Sequence, residues 1–209
     1  MDGQKSIRIL IADDHSVVRM GLAALLSAED DLSVAGYAKN GREAVARTLE
    51  LHPDVVIMDL EMPQTDGVAA TAEIAAQAPR TKVLILTSFA TTDRLAQAVK
   101  AGAAGTILKS ADDAEVIAAI RAVAGGKTYL SSDVQRLFRE DPPVPRLSPR
   151  QGEILDSITR GLTNADISRQ LGISLVMVKK HVTALFQKIG AANRAEATAI
   201  ASRKHLVKD

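Results

Sequence analysis

The 209-residue chain contains no cysteine, no tryptophan and only five aromatic residues, two Tyr and three Phe. Without cysteine, disulfides, thiolate catalysis and Cys-ligated zinc are excluded together. So few rings argue against the stacking platforms that hold single-stranded nucleic acid. Long hydrophobic runs are missing too: the longest are broken by Asp, Gly or Pro and are too short to span a bilayer. No basic-then-apolar leader opens the chain, because Asp2, Gln4 and Lys5 lead directly into strand-like residues. Apolar residues nevertheless make up 46% of the sequence, enough to bury a core. The expectation is a soluble, cytoplasmic protein with no membrane partner, long enough for one large domain or two small ones.

The net charge of +1 conceals a split. Residues 1–127 hold 13 Lys and Arg against 17 Asp and Glu, whereas residues 128–209 hold 13 against eight. An acidic half joined to a basic one points to an anionic partner for the second.

In the first half, short β-branched runs alternate with longer amphipathic ones. Strands are expected at Ile7 to Ala12, Leu32 to Ala38, Asp54 to Met58, Lys82 to Leu86 and Gly105 to Leu108. Helices are expected near 15–28, 41–52, 67–78, 91–102 and 112–125. Strands apolar on both faces belong in a parallel sheet covered by helices. Five strand-then-helix units predict an α/β domain with a five-stranded, doubly wound parallel sheet over residues 1–127. A short helical piece around Asp133 to Phe138 runs into Pro142-Pro143-Val144-Pro145, where no helix or central strand can persist. Residues 128–146 are therefore expected to be linker. From Leu147 every segment reads as helical, which makes 147–209 a second, all-α domain.

Function in a doubly wound sheet sits at the carboxyl ends of its strands. Strand one ends in Asp13-Asp14, strand three in Asp59, strand four in Thr87-Ser88 and strand five in Lys109. Three carboxylates brought close repel one another unless a cation is present. A hard divalent ion such as Mg²⁺ relieves that cost. The same grouping suits phosphoryl transfer, with Asp59 as a carboxylate nucleophile. Lys109 and the metal would neutralise the phosphoryl group, and Thr87 would hydrogen-bond one of its oxygens. Each residue alone is more often a cap or turn residue; four in their matching strand slots are not.

With Asp13-Asp14, Asp59-Leu60-Glu61-Met62-Pro63, Asp66-Gly67, Thr87-Ser88 and Leu108-Lys109 in order, residues 7–125 resemble the receiver domain of bacterial two-component response regulators. The resemblance implies Asp59 as the phosphoacceptor for a partner sensor histidine kinase. It implies Asp14, Asp59 and the Glu61 carbonyl as Mg²⁺ ligands, with Asp13 acting through water, and Thr87 and Lys109 as phosphoryl contacts. Receivers usually carry Tyr or Phe three residues before the lysine, a ring that relays phosphorylation to the outer face. This chain has Thr106 there.

In the second half, Gly172-Ile173-Ser174 separates a short helix from a longer one over Leu175 to Ile189, the pattern of a helix-turn-helix. Leu175, Val178, Val182, Leu185 and Ile189 step by three and four and are expected to face the core. The opposite face then carries Val176, Lys179, Lys180, Thr183 and Gln187, suited to a DNA major groove. From Leu147 to about Leu206 the segment resembles the LuxR-type DNA-binding domain of the NarL/FixJ regulators. Its matching pieces are Leu147-Ser148-Pro149-Arg150, Gly161-Leu162-Thr163-Asn164, Leu171-Gly172-Ile173-Ser174, Val178-Lys179, His181-Val182 and Lys188-Ile189-Gly190. The resemblance implies base contacts from Lys179, Lys180 and Thr183. It makes His181, Lys188, Asn164 and Arg194 candidates for phosphate contact or its structural support, and places Met177 where Thr is usual. The last helix, about Arg194 to His205, resembles the family's dimerisation element, with Ala195, Ala197, Thr198 and Ala201 as a small-residue surface.

The reading is a DNA-binding transcription regulator and not an enzyme. Phosphorylation on Asp59 would control homodimerisation and binding to a promoter with two half-sites, and RNA polymerase is a candidate further partner. One alternative is a regulator that works without phosphorylation. Another is an Asp-nucleophile phosphatase, but such enzymes generally need a second Asp two residues on, where this chain has Glu61.

Overall fold

A computed structural model describes residues 6–88, 91–144, 147–204 and 206–207. Contacts divide the chain into two units, 1–142 and 143–209.

The first unit holds a parallel sheet of β1 (Ile7–Ala12), β2 (Leu32–Ala38), β3 (Val55–Met58), β4 (Lys82–Thr87), β5 (Gly105–Leu108) and β6 (Tyr129–Leu130). The strands lie in the order β2-β1-β3-β4-β5-β6. Successive side chains of one strand point to opposite faces, and the core divides accordingly. Leu10, Val56, Met58, Val83 and Ile85 join one cluster, with residues of α2 (Gly41–Leu51), α3 (Gly67–Gln77) and α4 (Thr92–Lys100). Ile9, Ile11, Val55, Ile57, Leu84 and Leu86 join the other, with residues of α1 (Ser16–Ser27) and α5 (Asp113–Ala124). Both faces are thus covered, which explains why the strands are continuously apolar.

The sheet has six strands where five were expected. Two residues are too short to show periodicity, yet Tyr129 and Leu130 pair in parallel with Gly105 and Thr106. The segment expected as linker changes in the same way. α6 (Ser132–Glu140) is capped by the Ser131 hydroxyl, which accepts from the Val134 N–H, and Val134 is fully buried in the first cluster beside Leu137 and Phe138. Residues 128–142 therefore belong to the α/β unit, and Pro145 of the expected linker lies outside the described residues. With the boundary at Pro142, the first unit holds 15 Lys and Arg against 20 Asp and Glu, the second 11 against five. The charge split sharpens to −5 and +6.

The second unit contains α7 (Pro149–Thr159), α8 (Asn164–Leu171), α9 (Leu175–Ile189) and α10 (Arg194–Arg203), and it has its own core around Ile154, Leu155, Ile167, Val178 and Leu185. The caps are local: Ser148 with Gln151 and Thr163 with Asp166 form capping boxes. Gly172 ends α8 at φ 63°, where a side chain would be strained, and Ser174 starts α9. The expected His205 end of the last helix lies outside the described residues. Among the described residues no helix is long and apolar enough to cross a membrane.

Candidate functional site

The strand order brings β1 and β3 side by side, so Asp13 and Asp59 emerge next to each other at the point where the connections diverge to either side of the sheet. Both are nearly buried, at 2% and 5% exposure. Lys109, at the end of β5, reaches past β4 to meet both. Its Nζ lies 2.5 Å from Asp13 Oδ2 and 2.7 Å from Asp59 Oδ2. Burial disfavours the ammonium's charge, but the hydrogen bonds to Asp13 and Asp59 outweigh it and hold Lys109 above its ordinary pKa.

Ligand atoms of Asp13, Asp14, His15 and Asp59 all lie within 4.8 Å of one another. Three carboxylates so placed fit a hard divalent cation, which takes oxygen donors and leaves room for water. His15 was not foreseen. Its Nδ1 is 2.7 Å from Asp14 Oδ1, and its main-chain N–H donates to Asp13 Oδ1 at 2.8 Å. The Glu61 side chain is exposed, and its main-chain N–H donates to Asp59 Oδ1 at 3.3 Å. Thr87 is buried at the end of β4, and its hydroxyl has no hydrogen-bond partner, so it retains full capacity for an incoming oxyanion. Thr106 is also fully buried with an unpartnered hydroxyl.

The loop after Asp59 is closed by α3. The Gly67 N–H donates to the Leu60 carbonyl at 3.1 Å, and Asp66 caps the helix by accepting from the Ala69 N–H at 2.8 Å. Arg94, in the first turn of α4, grips the same loop. It donates to the Leu60 carbonyl at 3.2 Å and pairs with Asp66 Oδ2 at 3.1 Å. Beside it, the Thr92 hydroxyl donates to Asp141, the C-cap of α6, at 3.2 Å. In sequence Arg94 is one more charge on an amphipathic helix, and nothing marks it.

In the helical unit Lys179, Lys180 and Thr183 are exposed on one face of α9. Val178, Leu185 and Ile189 are buried and Val182 is half-buried, but Leu175 is 42% exposed. As the first residue of the helix it projects beyond the packed layer. His181 is half-buried. Lys188 turns inward, donating to Gln151 Oε1 of α7 at 3.1 Å, and Arg194 donates to the Leu162 carbonyl. These two therefore brace the helix-turn-helix. Asn164 begins α8, and its Oδ1 is buried without a partner. Ala197 and Ala201 are fully buried in the domain's own core, so the expected four-residue surface on α10 reduces to exposed Ala195 and half-buried Thr198.

Comparison with known proteins matches residues 9–121 to the response regulator receiver domain and residues 145–201 to the bacterial regulatory proteins of the luxR family. The transcriptional regulatory protein LiaR of Bacillus subtilis (strain 168) is 40% identical over 209 residues, covering 96% of this chain and 99% of LiaR. The crystal structure of ChrA, a response regulator of a heme-sensing two-component system, is 36% identical, with a TM-score of 0.57 over 97% of this chain and 99% of ChrA. RcsB of Salmonella enterica serovar Typhimurium, bound to a promoter with the phosphomimetic BeF3−, shares the fold. Its TM-score is 0.71 at 24% identity, covering 95% and 98% of the two chains.

Proposed function

Because the chain belongs to the two-component response regulators that join a receiver domain to a DNA-binding LuxR-type domain, we propose that phosphorylation of Asp59 by a sensor histidine kinase controls its dimerisation and its binding to promoter DNA. The observation that carries this reading is the meeting of Lys109 with Asp13 and Asp59 beside the unpartnered hydroxyl of Thr87.

A carboxylate oxygen of Asp59 attacks the phosphorus of the kinase's phosphohistidine. The new P–O bond gives an acyl phosphate, and the broken P–N bond leaves its electron pair on the imidazole. Lys109 is positioned to follow the charge onto the phosphoryl oxygens, and Thr87 donates to one of them. Asp13, Asp14 and Asp59, with the Glu61 carbonyl, would hold Mg²⁺, which would supply further neutralisation of the phosphoryl charge. Water later cleaves the acyl phosphate, so the site acts as a timer and turns over no external substrate. In the phosphorylated state two copies engage two half-sites of a promoter, each presenting Lys179, Lys180 and Thr183, with RNA polymerase as a further partner in the cytoplasm. Paired half-sites multiply affinity because the second contact becomes intramolecular.

The test is intact-mass spectrometry of wild type and Asp59→Ala after incubation with acetyl phosphate and Mg²⁺, with sedimentation and DNA binding of the same samples. A phosphate-sized gain in wild type alone, with a shift to dimer and tighter DNA binding, is expected. Buried Thr106 at the relay position favours a second reading, regulation without phosphorylation. Phosphate uptake with unchanged size and unchanged DNA affinity would establish it.

A further inference from the structure

α9 opens with three apolar residues in a row, and all three face solvent: Leu175 is 42%, Val176 75% and Met177 42% exposed. Such a patch in the first turn of an otherwise well-packed helix has no part in the core, which α9 builds from Val178, Leu185 and Ile189. Val176 also gains nothing for the helix, because a β-branched side chain loses rotamer freedom there. It stands three residues before Lys179 and four before Lys180, so it shares a face with both lysines and with Thr183 one turn further on. The two ammoniums draw this face towards a polyanion and thereby commit the apolar group one turn before them to the same surface.

We propose that Val176 is a specificity-determining residue that reads a thymine through its 5-methyl group in the DNA major groove. The inference rests on the DNA-binding role of the helical unit. Thymine is the only base that offers a methyl group on the major-groove edge, and apolar side chains are what recognise it. The first turn of the second helix is where a helix-turn-helix approaches base edges. Lys179 and Lys180 can donate to guanine O6 and N7, so the preferred half-site combines a guanine with a thymine about one helical turn of protein away. The contact buries a methyl group against the valine, and its loss is worth about fourfold in affinity.

The experiment uses the full chain, treated with acetyl phosphate and Mg²⁺, to select binding sites from a random-sequence duplex pool. Each dT of the selected site is then replaced in turn by dU, which lacks only the methyl group. At one position per half-site, dU should weaken wild type about fourfold and leave Val176→Ser unaffected, while Val176→Ile retains the penalty. Lys179→Ala should weaken binding overall yet keep the ratio between dT and dU. Equal dU penalties in wild type and Val176→Ser at every position, or none in either, overturn the assignment and turn the patch into a candidate protein contact. If wild type enriches no sequence from the pool, the DNA-binding reading itself falls. An enriched site without the methyl effect removes only the role of Val176.

Discussion

Lys109 sets its ammonium 2.7 Å from Asp59, joining the end of β5 to the end of β3 across the intervening strand. The same Nζ touches Asp13, so one cation holds two nearly buried carboxylates apart from each other's charge. Lys109→Ala leaves both without their ammonium partner and should destabilise the metal-free α/β unit by about 3 kcal/mol. Thermal unfolding with and without Mg²⁺ checks it: the divalent ion should recover more stability in the variant than in wild type.

Arg94 ties the loop after Asp59 to the first turn of α4, and Thr92 ties that turn to the end of α6. This is a continuous contact from the acidic site to the last residues of the unit, made without any ring at position 106. Arg94→Ala should cost under about 1 kcal/mol, since the ion pair is part-exposed. Phosphate uptake should persist, while the gain in DNA affinity on phosphorylation shrinks. Titration of phosphorylated and unphosphorylated samples against one duplex separates the two effects.

Gly67 has no room for a side chain. A Cβ there would lie 2.1 Å from the Asp59 carbonyl oxygen and 2.9 Å from Leu60 Cα, both backbone atoms that cannot move without displacing Asp59. Gly67→Ala should destabilise the unit by at least about 2 kcal/mol and slow phosphate uptake. Denaturant unfolding and intact-mass time courses measure the two losses.

Asp13, Asp14, Asp59, Thr87 and Lys109 were legible because they follow or end strands, and strand ends of a doubly wound sheet must converge, whereas His15, the N-cap of α1, carries no such signal. Arg94 was not, because its partners, Leu60 and Asp66, lie about thirty positions away in sequence and one is a main-chain carbonyl. β6 was missed because pairing, not pattern, makes a two-residue strand. On α10, spacing places Ala197 and Ala201 on one face but cannot say whether that face turns inward; their burial decides it. Leu175 shows the converse, an apolar residue in phase with the core stripe that lies beyond the edge of the packed layer.

Val134 tests the revised boundary. If residues 128–142 were only a tether, truncating this side chain would change nothing. Because it is fully buried against the sheet's first cluster, Val134→Ala should lower the stability of the α/β unit by about 2 kcal/mol. The unfolding transition of the helical unit should stay in place.

Asp166 accepts from the Thr163 hydroxyl and main-chain N–H and pairs with Arg169, and these bonds hold its carboxyl below the ordinary carboxylate range. A depressed folded-state pKa contributes stability above the unfolded value, about 4, and loses it as pH falls through the folded one. The helical unit should therefore weaken below about pH 4, and Asp166→Asn should show less of this acid-side loss. Thermal unfolding of the helical unit across acidic pH reads both curves.

The charge division at Pro142 would also govern how the protein, acting on DNA as proposed, samples arbitrary sequence. Each phosphate a cation neutralises adds about 0.9 to the slope of log affinity against log salt. A unit with 11 cations and five anions, in which Lys188 and Arg194 turn inward to brace the helices and Lys204 is buried, can neutralise only a few. The attached unit, at −5, repels the same polyanion. On the proposed function, a lone copy would therefore be a transient visitor to arbitrary sequence at cellular ionic strength, and residence time would become the property of a pair.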